Sequence, residues 1–285
     1  MDTYREISVT KISPHVGAII GGVDIAAGLT DAQFAEIRSA YADNGVIFFR
    51  DQDISPDDHI AFAKRWADIN VNRFFPHLDS HPTIAEVRKE PDAVLNIGTL
   101  WHTDHSYDQI PAMGSILVAR DVPSMGGDTL FAGMAAACGA LSEGLRAMLG
   151  TMRAHHSSRH VFGNQGDAGV EPEQMNNAEL AVQDSLHPVI IRHPLSGRPT
   201  LYVNCNFTTH FDGWTVEESK PLLDYLYELA STPEHTCRFE WEPGSIAIWD
   251  NRAVHHKALN DYHGQRRVMH RITLEGVPLE PAFAR

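Results

Sequence analysis

Trp101-His102-Thr103-Asp104 places an imidazole and a carboxylate two residues apart in the first half of a chain of 285 residues. The tetrapeptide is predicted to be a β-strand, in which side chains at alternate positions point to the same face of the sheet. His102 and Asp104 can therefore bind one metal ion while Trp101 and Thr103 pack on the other side. A pair of donors leaves a metal half coordinated, so the stretch predicts a third ligand elsewhere in the chain.

The late segment Trp249-Asp250-Asn251-Arg252-Ala253-Val254-His255-His256 offers that third ligand. Neighbouring residues of a strand face opposite ways, so only one of His255 and His256 can complete the site. Two imidazoles and one carboxylate form the facial triad that suits Fe(II) and leaves coordination positions open. Zinc sites of hydrolases use similar donors, so the ligand types alone leave both metals open.

Arg267 favours iron over zinc. It lies eleven residues after His256, in a predicted strand that can line the same cavity. A guanidinium group binds a carboxylate through two parallel hydrogen bonds. A dicarboxylate co-substrate needs such a partner at its far end, and the presence of Arg267 therefore indicates a co-substrate of this kind.

The composition excludes several classes of protein. Apolar residues make up 43% of the chain and charged residues 21%, as in an ordinary globular enzyme, and the formal net charge is −14. Phosphate binding needs clustered Lys and Arg that the sequence lacks, so nucleic acid is not an expected partner. No apolar run reaches the ~20 residues that span a bilayer, and the N-terminus has no basic segment followed by an apolar core. We therefore expect a cytoplasmic protein without a membrane partner.

Segments with strand character outnumber helices, and they do not alternate regularly with helices as in a βαβ protein. Candidate metal ligands on strands then indicate a closed or double-sheet β architecture, mainly β with flanking helices, such as a jelly roll. Capping residues predict helices that begin near Thr30, Ser55, Ser142 and Thr215. No linker divides the chain, so one domain over residues 1–285 is expected.

Two segments are predicted to border a binding site as lids. Residues 70–92 are irregular and rich in Pro, His and aromatic residues, which is typical of a loop at a binding mouth. A variable surface loop explains the same composition equally well. Residues 160–187 are rich in Gly, Asn, Gln and acidic residues, and an insertion of this length in a compact domain is usually a lid or a disordered segment.

Four motifs occur in order along the chain: Trp101-His-Thr-Asp104, Gly126-Gly-Asp-Thr-Leu130, Trp249-Asp-Asn-Arg252 with His256, and Gln265-Arg-Arg-Val-Met-His-Arg271. In these motifs the chain resembles the TauD/TfdA family of Fe(II)/2-oxoglutarate-dependent dioxygenases. Segments similar to the family extend from about Gly17 to Leu274. A single His-x-Asp motif recurs by chance, whereas four ordered motifs with compatible spacings are specific.

The resemblance implies the fold and the metal centre. Members of the family have a double-stranded β-helix, which is a cupin-like jelly roll. Their iron is held by a His-x-Asp motif and a distal histidine, which here are His102, Asp104 and His256. The family spacing thus selects His256 over His255. Because halogenating relatives lack the carboxylate, Asp104 also favours hydroxylation.

The resemblance also implies the co-substrate site and the reaction. Thr129 and Arg267 would hold the distal carboxylate of 2-oxoglutarate, and Arg271 would bind an anionic group of the primary substrate. The implied reaction uses Fe(II), 2-oxoglutarate and O2, and it converts 2-oxoglutarate to succinate and CO2 while a C–H bond of the substrate is hydroxylated. Hydroxylation beside a heteroatom would lead to C–O or C–S cleavage.

Other residues at the predicted substrate site differ from taurine-type members of the family. Asn72 stands where those members carry a sulfonate-binding histidine, Gly98 replaces a polar residue, and Phe75 lacks the hydroxyl group of their tyrosine. Phe207 resembles a substrate-pocket aromatic residue, although a core phenylalanine fits its position as well. These departures argue against taurine and favour an anionic substrate with a larger apolar body, such as an aryloxyalkanoate or an alkyl sulfate ester.

Two alternatives to a dioxygenase share the same residues. A zinc-dependent hydrolase could use the same triad, and a non-catalytic jelly-roll binding protein could share the fold. The binding protein gives no reason for Thr129 and Arg267. The expected partners are a small-molecule substrate and further copies of the chain, because relatives commonly form homodimers or homotetramers.

Overall fold

The structure, a computed structural model, describes residues 4–163 and 177–283. The α-helices are α1 (Asp31–Asn44), α2 (Pro56–Lys64), α3 (Met134–Ala140), α4 (Glu143–Leu149), α5 (Arg159–Phe162) and α6 (Val216–Ala230). Short 3-10 helices cover Ala178–Leu180 and Pro233–His235. No helix in the described part of the chain is long and apolar enough to cross a membrane.

Eighteen strands are present in the described residues. In the first half of the chain they are β1 (Ser8–Lys11), β2 (Ala18–Gly21), β3 (Val46–Phe49), β4 (Ile69–Asn70), β5 (His77–Leu78), β6 (His81–Lys89), β7 (Gly114–Asp121) and β8 (Thr129–Gly133). In the second half they are β9 (Arg153–Ser157), β10 (Asp184–Pro188), β11 (Ile190–Arg192), β12 (Pro199–Leu201), β13 (Thr208–Phe211), β14 (Thr236–Phe239), β15 (Ile246–Asp250), β16 (Val254–Ala258), β17 (Arg267–Leu274) and β18 (Glu280–Pro281).

Two facing sheets form the centre of the fold. The larger sheet has the strand order β1-β2-β3-β15-β7-β17-β6-β5, with β4 paired to the end of β17, and it is antiparallel except between β2 and β3. The smaller sheet has the order β14-β8-β16. Apolar side chains from both sheets pack between them, and the stacked rings of Phe48 and Phe239 lie 3.9 Å apart. The predicted jelly roll is confirmed.

Helices α1 and α2 cover the outer face of the larger sheet. Strands β7 and β15 are therefore buried on both faces, which explains their nearly continuous apolar sequences. Phe34 and Tyr41 of α1 pack edge-to-face against Trp66, with ring centroids 5.2 and 4.9 Å apart. Each such pair adds about 0.5–1.5 kcal/mol to the stabilisation from burial. A second apolar cluster joins α3, α4 and α6 to β9, β11, β12 and β13.

The predicted helix starts are confirmed. Thr30, Ser55 and Thr215 each accept a hydrogen bond from a backbone N–H in the first turn, and each belongs to a reciprocal capping box. Ser142 caps α4 by accepting a single backbone bond. Gly45 follows α1 with a φ of 72°, a left-handed conformation that favours glycine. These signals depend only on neighbouring residues, which is why the sequence predicts them well.

The strand predicted at Trp101-His102-Thr103-Asp104 is wrong. Only His102 is paired, in an isolated bridge to His256, where the N–H of each residue donates to the carbonyl oxygen of the other at 3.1 and 2.8 Å. Beyond Asp104 the chain turns, and His105 has a φ of 56°. A strand cannot continue through a left-handed residue. The two predicted ligands are therefore brought together by the turn and the bridge, and not by strand alternation.

About half of the first predicted lid is regular structure. Residues 70–92 include β5 and the whole of β6, which pairs with β17 along the stretch where Arg267 faces Lys89 and Arg271 faces Ala85. The sequence of β6 hides its period, because polar residues interrupt the apolar ones. Of the second predicted lid, residues 160–162 belong to α5 and 184–187 to β10, and residues 164–176 lie outside the described residues.

Buried histidines make the stability of the fold depend on pH. His59 on α2 is fully buried, and this burial lowers its pKa from 6.5 to about 3. Burial likewise lowers the pKa values of His187 and His270 to about 4. Below pH 6.5 the unfolded chain therefore binds more protons than the folded chain. The free energy of unfolding falls as the pH falls from about 6.5 toward these folded-state values.

We expect His59→Leu to weaken this pH dependence. The wild-type protein should lose on the order of 3 kcal/mol more stability than the variant between pH 7 and pH 4, as a pKa shift of this size implies. Urea unfolding at several pH values measures the difference, and His263→Leu is the control because His263 is exposed. An equal slope for wild type and His59→Leu would contradict the assignment of this effect to His59.

Candidate active site

Three side chains singled out in the sequence meet in one buried cluster. His102 Nε2 lies 3.7 Å from Asp104 Oδ1, and His256 Nε2 lies 3.8 Å from Asp104 Oδ2. One donor atom from each residue falls within 4.8 Å of the others. Among the described residues this is the only group of His, Cys, Asp and Glu side chains close enough to share a metal ion. The cluster offers two imidazoles and one carboxylate.

The backbone bridge to His102 explains why His256, rather than His255, joins the cluster. The rings of His102 and His256 lie with centroids 4.1 Å apart. His255 precedes His256 in β16, so the side chain of His255 points to the opposite face of the sheet. There it is buried, and burial lowers its pKa to about 3. The histidine that joins His102 and Asp104 is thus the one that the family spacing selects.

Both imidazoles present Nε2 to the cluster. His102 Nδ1 donates to the carbonyl oxygen of Leu100 at 2.8 Å, so Nε2 of the neutral ring carries a free lone pair. Burial lowers the pKa of His102 and of His256, which keeps the rings neutral and able to bind a metal. Gly98 passes close to one ring, because a Cβ at this position would lie 3.2 Å from His102 Cε1. A larger residue there would press on the predicted ligand.

Two further side chains hold the carboxylate of Asp104. Trp249 Nε1 donates to Asp104 Oδ2 at 3.2 Å, and Arg271 Nη2 lies 2.8 Å from the same oxygen. Burial by itself would raise the pKa of Asp104, but Arg271 and the nearby imidazoles hold it well below its usual range. The carboxylate is therefore ionised, and the hydrogen bond from Trp249 and the charge of Arg271 orient it, as neighbouring residues do in other metal centres.

Thr129 and Arg267 line the same cavity as the cluster. Thr129 Oγ1 accepts a hydrogen bond of 3.0 Å from Trp241 Nε1, and the guanidinium of Arg267 lies 5.7 Å from the Trp241 ring. Arg267 is only 5% exposed, and its Nε has no hydrogen-bond partner among the described residues. A buried charge is costly unless it is paired. The site therefore fits the carboxylate of a bound molecule.

Arg271 lies beside the metal cluster, four residues further along β17. Its guanidinium lies 5.6 Å from the ring of Phe75 and 5.5 Å from the ring of Trp249, and its Nε donates to Ser115 Oγ at 3.0 Å. Arg267 and Arg271 both line the cavity. They occupy separate parts of it, since one contacts Trp241 and the other contacts Asp104. This separation is consistent with two different anionic ligands.

The cavity has a volume of about 290 Å³ and combines these polar groups with apolar walls. Phe75 and Phe207, both predicted at the substrate site, lie on the walls together with Leu100, Val161 and Phe162. Val161 and Phe162 were not named individually from the sequence, although both lie in the segment 160–187 that was predicted to border the site. They belong to α5, which carries no motif, so only the composition of the surrounding segment pointed to them.

Asn72 borders the cavity, but its carboxamide is largely used by protein partners. Oδ1 accepts hydrogen bonds from the backbone N–H groups of Phe74 and Phe75 at 2.9 and 3.2 Å. Nδ2 donates to His105 Nε2 at 3.2 Å. His105 also lines the cavity, although nothing in the sequence pointed to a functional role for it beyond its place after Asp104. A direct contact between Asn72 and substrate stays a prediction.

The donor set and its surroundings fit Fe(II) with a dicarboxylate co-substrate. Two imidazoles and a carboxylate on one face leave coordination positions open, as in non-haem iron oxygenases. A zinc site could use the same donors. The buried guanidinium of Arg267 in the same cavity is explained by an anionic co-substrate and has no role in a simple zinc hydrolase.

Comparison with known proteins places the chain among dioxygenases. The sequence model that describes the "Taurine catabolism dioxygenase TauD, TfdA family" matches residues 8–273 of the chain. An alkylsulfatase from Acinetobacter baylyi is 31% identical over 278 residues, which cover 95% of this chain and 86% of that protein. The (S)-phenoxypropionate/alpha-ketoglutarate-dioxygenase of Sphingobium herbicidovorans is 31% identical over 276 residues, which cover 95% of each chain.

A solved structure of a dioxygenase is also similar to this chain. The crystal structure of a taurine dioxygenase from Burkholderia xenovorans has a TM-score of 0.81 and 35% sequence identity, and the match covers 95% of this chain and 92% of that chain. These three proteins are named for three different substrates, although their identities to this chain are nearly equal. Overall similarity therefore does not select a substrate.

Proposed function

Because the chain belongs to the taurine catabolism dioxygenase TauD, TfdA family, we propose that it hydroxylates a small organic anion with an apolar body. It is an Fe(II)/2-oxoglutarate-dependent dioxygenase, an oxidoreductase that converts 2-oxoglutarate and O2 to succinate and CO2. One observation carries the proposal: the buried His-Asp-His cluster shares its cavity with the guanidinium groups of Arg267 and Arg271. One of these groups would serve the co-substrate and the other the substrate.

The metal and co-substrate would be held by separate parts of the cavity. His102, Asp104 and His256 would bind Fe(II), and Thr129 and Arg267 would bind the distal carboxylate of 2-oxoglutarate. When bound, the metal supplies the oxidising chemistry that the side chains lack. The residues of the chain keep both imidazoles neutral, keep the carboxylate ionised and surround the reacting centre with apolar walls.

The substrate would bind between Arg271 and the aromatic wall. Arg271 supports an anionic group next to the metal cluster, and Phe75 and Phe207 support an apolar body. Asn72 would complete the rim. Glycine at position 98 and phenylalanine at position 75 offer no side-chain acceptor for an ammonium group such as that of taurine. Alkyl sulfate esters and aryloxyalkanoates match the cavity better, and hydroxylation next to their oxygen atom would end in C–O cleavage.

Family membership decides against the two alternatives that the sequence left open. A non-catalytic binding protein does not account for a metal cluster beside two buried guanidinium groups. A zinc hydrolase accounts for the cluster but not for Thr129 and Arg267. Activity that requires both Fe(II) and 2-oxoglutarate would separate the dioxygenase from the hydrolase.

The domain organisation, assembly and location of the protein are also proposed. We propose a single domain over residues 1–285, assembly as a homodimer or homotetramer, and no nucleic-acid or membrane partner. A cytoplasmic location is proposed because the reaction consumes 2-oxoglutarate, a metabolite of central carbon metabolism. Light scattering coupled to size-exclusion chromatography measures the assembly.

We expect succinate release to depend on the apolar body of the substrate. Each buried CH2 group contributes about 0.8 kcal/mol, so kcat/KM should rise at least roughly tenfold from ethyl sulfate to hexyl sulfate. Phenoxyacetate should also be used, and taurine should give much less succinate than hexyl sulfate. The panel is run with Fe(II), 2-oxoglutarate and air. Equal rates with taurine and hexyl sulfate would contradict the apolar substrate class. If no substrate of the panel gave succinate, the proposed function itself would be contradicted.

A further inference from the structure

A network of charged and polar side chains joins the loop that borders the cavity to the turn that carries Asp104. Asp108 is its centre. Its two carboxylate oxygens accept hydrogen bonds from Arg73 at 3.0 and 2.9 Å, and His105 Nδ1 lies 3.0 Å from Asp108 Oδ2. Bidentate contacts of this kind are among the stronger polar contacts in proteins. Asn72, Arg73, His105 and Asp108 are called the loop clamp below.

The hydrogen bonds of Asn72 determine the orientation of the clamp. Oδ1 accepts from the N–H groups of Phe74 and Phe75, so the amide nitrogen faces His105. Nδ2 donates to His105 Nε2, which assigns the ring proton to Nδ1, where it donates to Asp108. Each bond then has one donor and one acceptor. Burial alone would raise the pKa of Asp108, but His105 and Arg73 lower it, so the centre of the clamp is ionised.

His105 has a conformation that residues other than glycine rarely adopt. Its φ is 56°, and it is 2% exposed. The left-handed conformation costs about 1–2 kcal/mol for such a residue, and it persists only where the surroundings hold it in place. The bonds to Asn72 and Asp108 provide that hold. His105 therefore helps to connect the loop that borders the cavity to the turn after Asp104.

Residues 177–187 also bind to the clamp. Asn177 Nδ2 donates to the carbonyl oxygen of Arg73 at 2.8 Å. His187 Nε2 donates to the carbonyl oxygen of Asp108 at 3.0 Å. Three separate segments of the chain thus meet at the clamp, so its geometry is determined by more than one loop.

The clamp adjoins the aromatic wall of the cavity, and its members Asn72 and His105 line the cavity beside that wall. The ring of Phe74 packs against Phe162 with centroids 4.6 Å apart, and the ring of Phe75 lies 5.6 Å from the guanidinium of Arg271. Tyr107, which lies between His105 and Asp108 in the sequence, also lines the cavity. A change in the clamp would therefore move the apolar wall and the ring beside the predicted anion-binding residue.

We propose that the loop clamp determines substrate specificity, because it holds the backbone of Phe74 and Phe75 against the turn after Asp104 and so sets the space for the apolar body of the substrate. This inference rests on the proposed function for the class of substrate. Besides its proposed place at the rim of the substrate site, Asn72 is then a positioning residue that acts through the two phenylalanines. When the two phenylalanines are held in one place, substrates whose apolar part packs closely against them bind best. A gap of less than 1 Å between the surfaces already loses roughly a quarter to a half of the dispersion attraction.

Asp108→Asn tests the clamp with little change in shape. The amide replaces one acceptor by a donor that faces the donors of Arg73 or His105, so the clamp loses at least one bond. Asn72→Ala is the second variant, and the double variant should show less than the sum of the single effects because both act on one loop. Asp212→Asn is the matched control. It breaks another His-Asp pair, with His155 at 3.3 Å, and neither residue of that pair lines the cavity.

Backbone hydrogen exchange in residues 72–76 measures the clamp without turnover. We expect Asp108→Asn and Asn72→Ala to raise the exchange rates of the Phe74 and Phe75 amides at least tenfold, and Asp212→Asn to leave them unchanged. Binding of N-oxalylglycine, a 2-oxoglutarate analogue, to the Mn(II)-loaded protein should stay within twofold in all variants. That analogue is expected at Thr129 and Arg267, which the clamp does not touch. A variant that has merely lost its fold would fail this binding test.

Calorimetry of the Mn(II) and N-oxalylglycine complex then measures the dissociation constants of hexyl sulfate and ethyl sulfate. We expect both clamp variants to reduce the preference for hexyl sulfate at least fivefold, mainly through weaker hexyl sulfate binding. Unchanged exchange at residues 72–76, or an unchanged preference, would overturn the inference. A wild-type protein without a preference for hexyl sulfate would also overturn it, while succinate release with any other anionic substrate would still support the proposed function.

Discussion

Replacing Asp104 by alanine is expected to abolish succinate release. Asp104 is the only carboxylate in the buried cluster, and its loss leaves two imidazoles to hold the metal. The loss of activity should exceed the roughly 10–100-fold that a residue behind a metal ligand costs. Succinate release with 2-oxoglutarate and hexyl sulfate measures the activity, and the iron content of the reconstituted protein measures metal binding. Unchanged succinate production would refute a ligand role for Asp104.

The stability of this variant needs its own measurement. Asp104→Ala leaves the buried guanidinium of Arg271 without its acidic neighbour, and a broken buried pair costs about 3–5 kcal/mol. Asp104→Asn is therefore tested in parallel, because it keeps the shape and an acceptor for Trp249. Thermal unfolding compares the variants. Asp224→Ala, which breaks the exposed pair with Lys220 at 2.6 Å, is the control that should keep full activity.

Arg267→Ala is expected to raise the half-saturating concentration of 2-oxoglutarate by about 100-fold. Loss of a buried, hydrogen-bonded charge pair costs about 2–5 kcal/mol, and each 1.4 kcal/mol is a factor of ten. Arg267→Lys keeps the charge but loses the planar fork, so its effect should be smaller. The visible absorption band that forms when Fe(II) and 2-oxoglutarate are added without oxygen measures the affinity directly.

Arg271→Ala is the comparison for this experiment. It should raise KM for the anionic substrate and change the affinity for 2-oxoglutarate much less than Arg267→Ala does. Arg271 also lies 2.8 Å from the Asp104 carboxylate, so the metal content of each variant is measured alongside. Equal effects of the two substitutions on 2-oxoglutarate affinity would refute the separate roles assigned to these arginines.

Predictions from the sequence were correct where the physical cause is local. The capping residues Thr30 and Thr215 satisfy N–H groups three residues away, so their neighbours alone decide the helix start. The predictions failed for the strand at 101–104 and, within the irregular loop predicted at 70–92, for residues 77–78 and 81–89, which are strands, whereas residues 71–76 are irregular and border the cavity. Residues 101–104 alternate in the sequence as a strand would, but His105 turns the chain, and β6 is a strand because β17 and β5 pair with it.

The kinds of donor and their order along the chain were enough to indicate the reaction class, because metal preference and carboxylate binding depend on the chemistry of each side chain. Which atoms touch depended on the fold. His102 and His256 are about 150 residues apart and meet through one backbone bridge, and Trp249 reaches Asp104 across 145 residues. The strained His105 and its bonds to Asn72 and Asp108 likewise exist only once three segments pack together. Contacts of this range are stabilised by burial and sheet pairing of the whole chain, and no short pattern of residues encodes them.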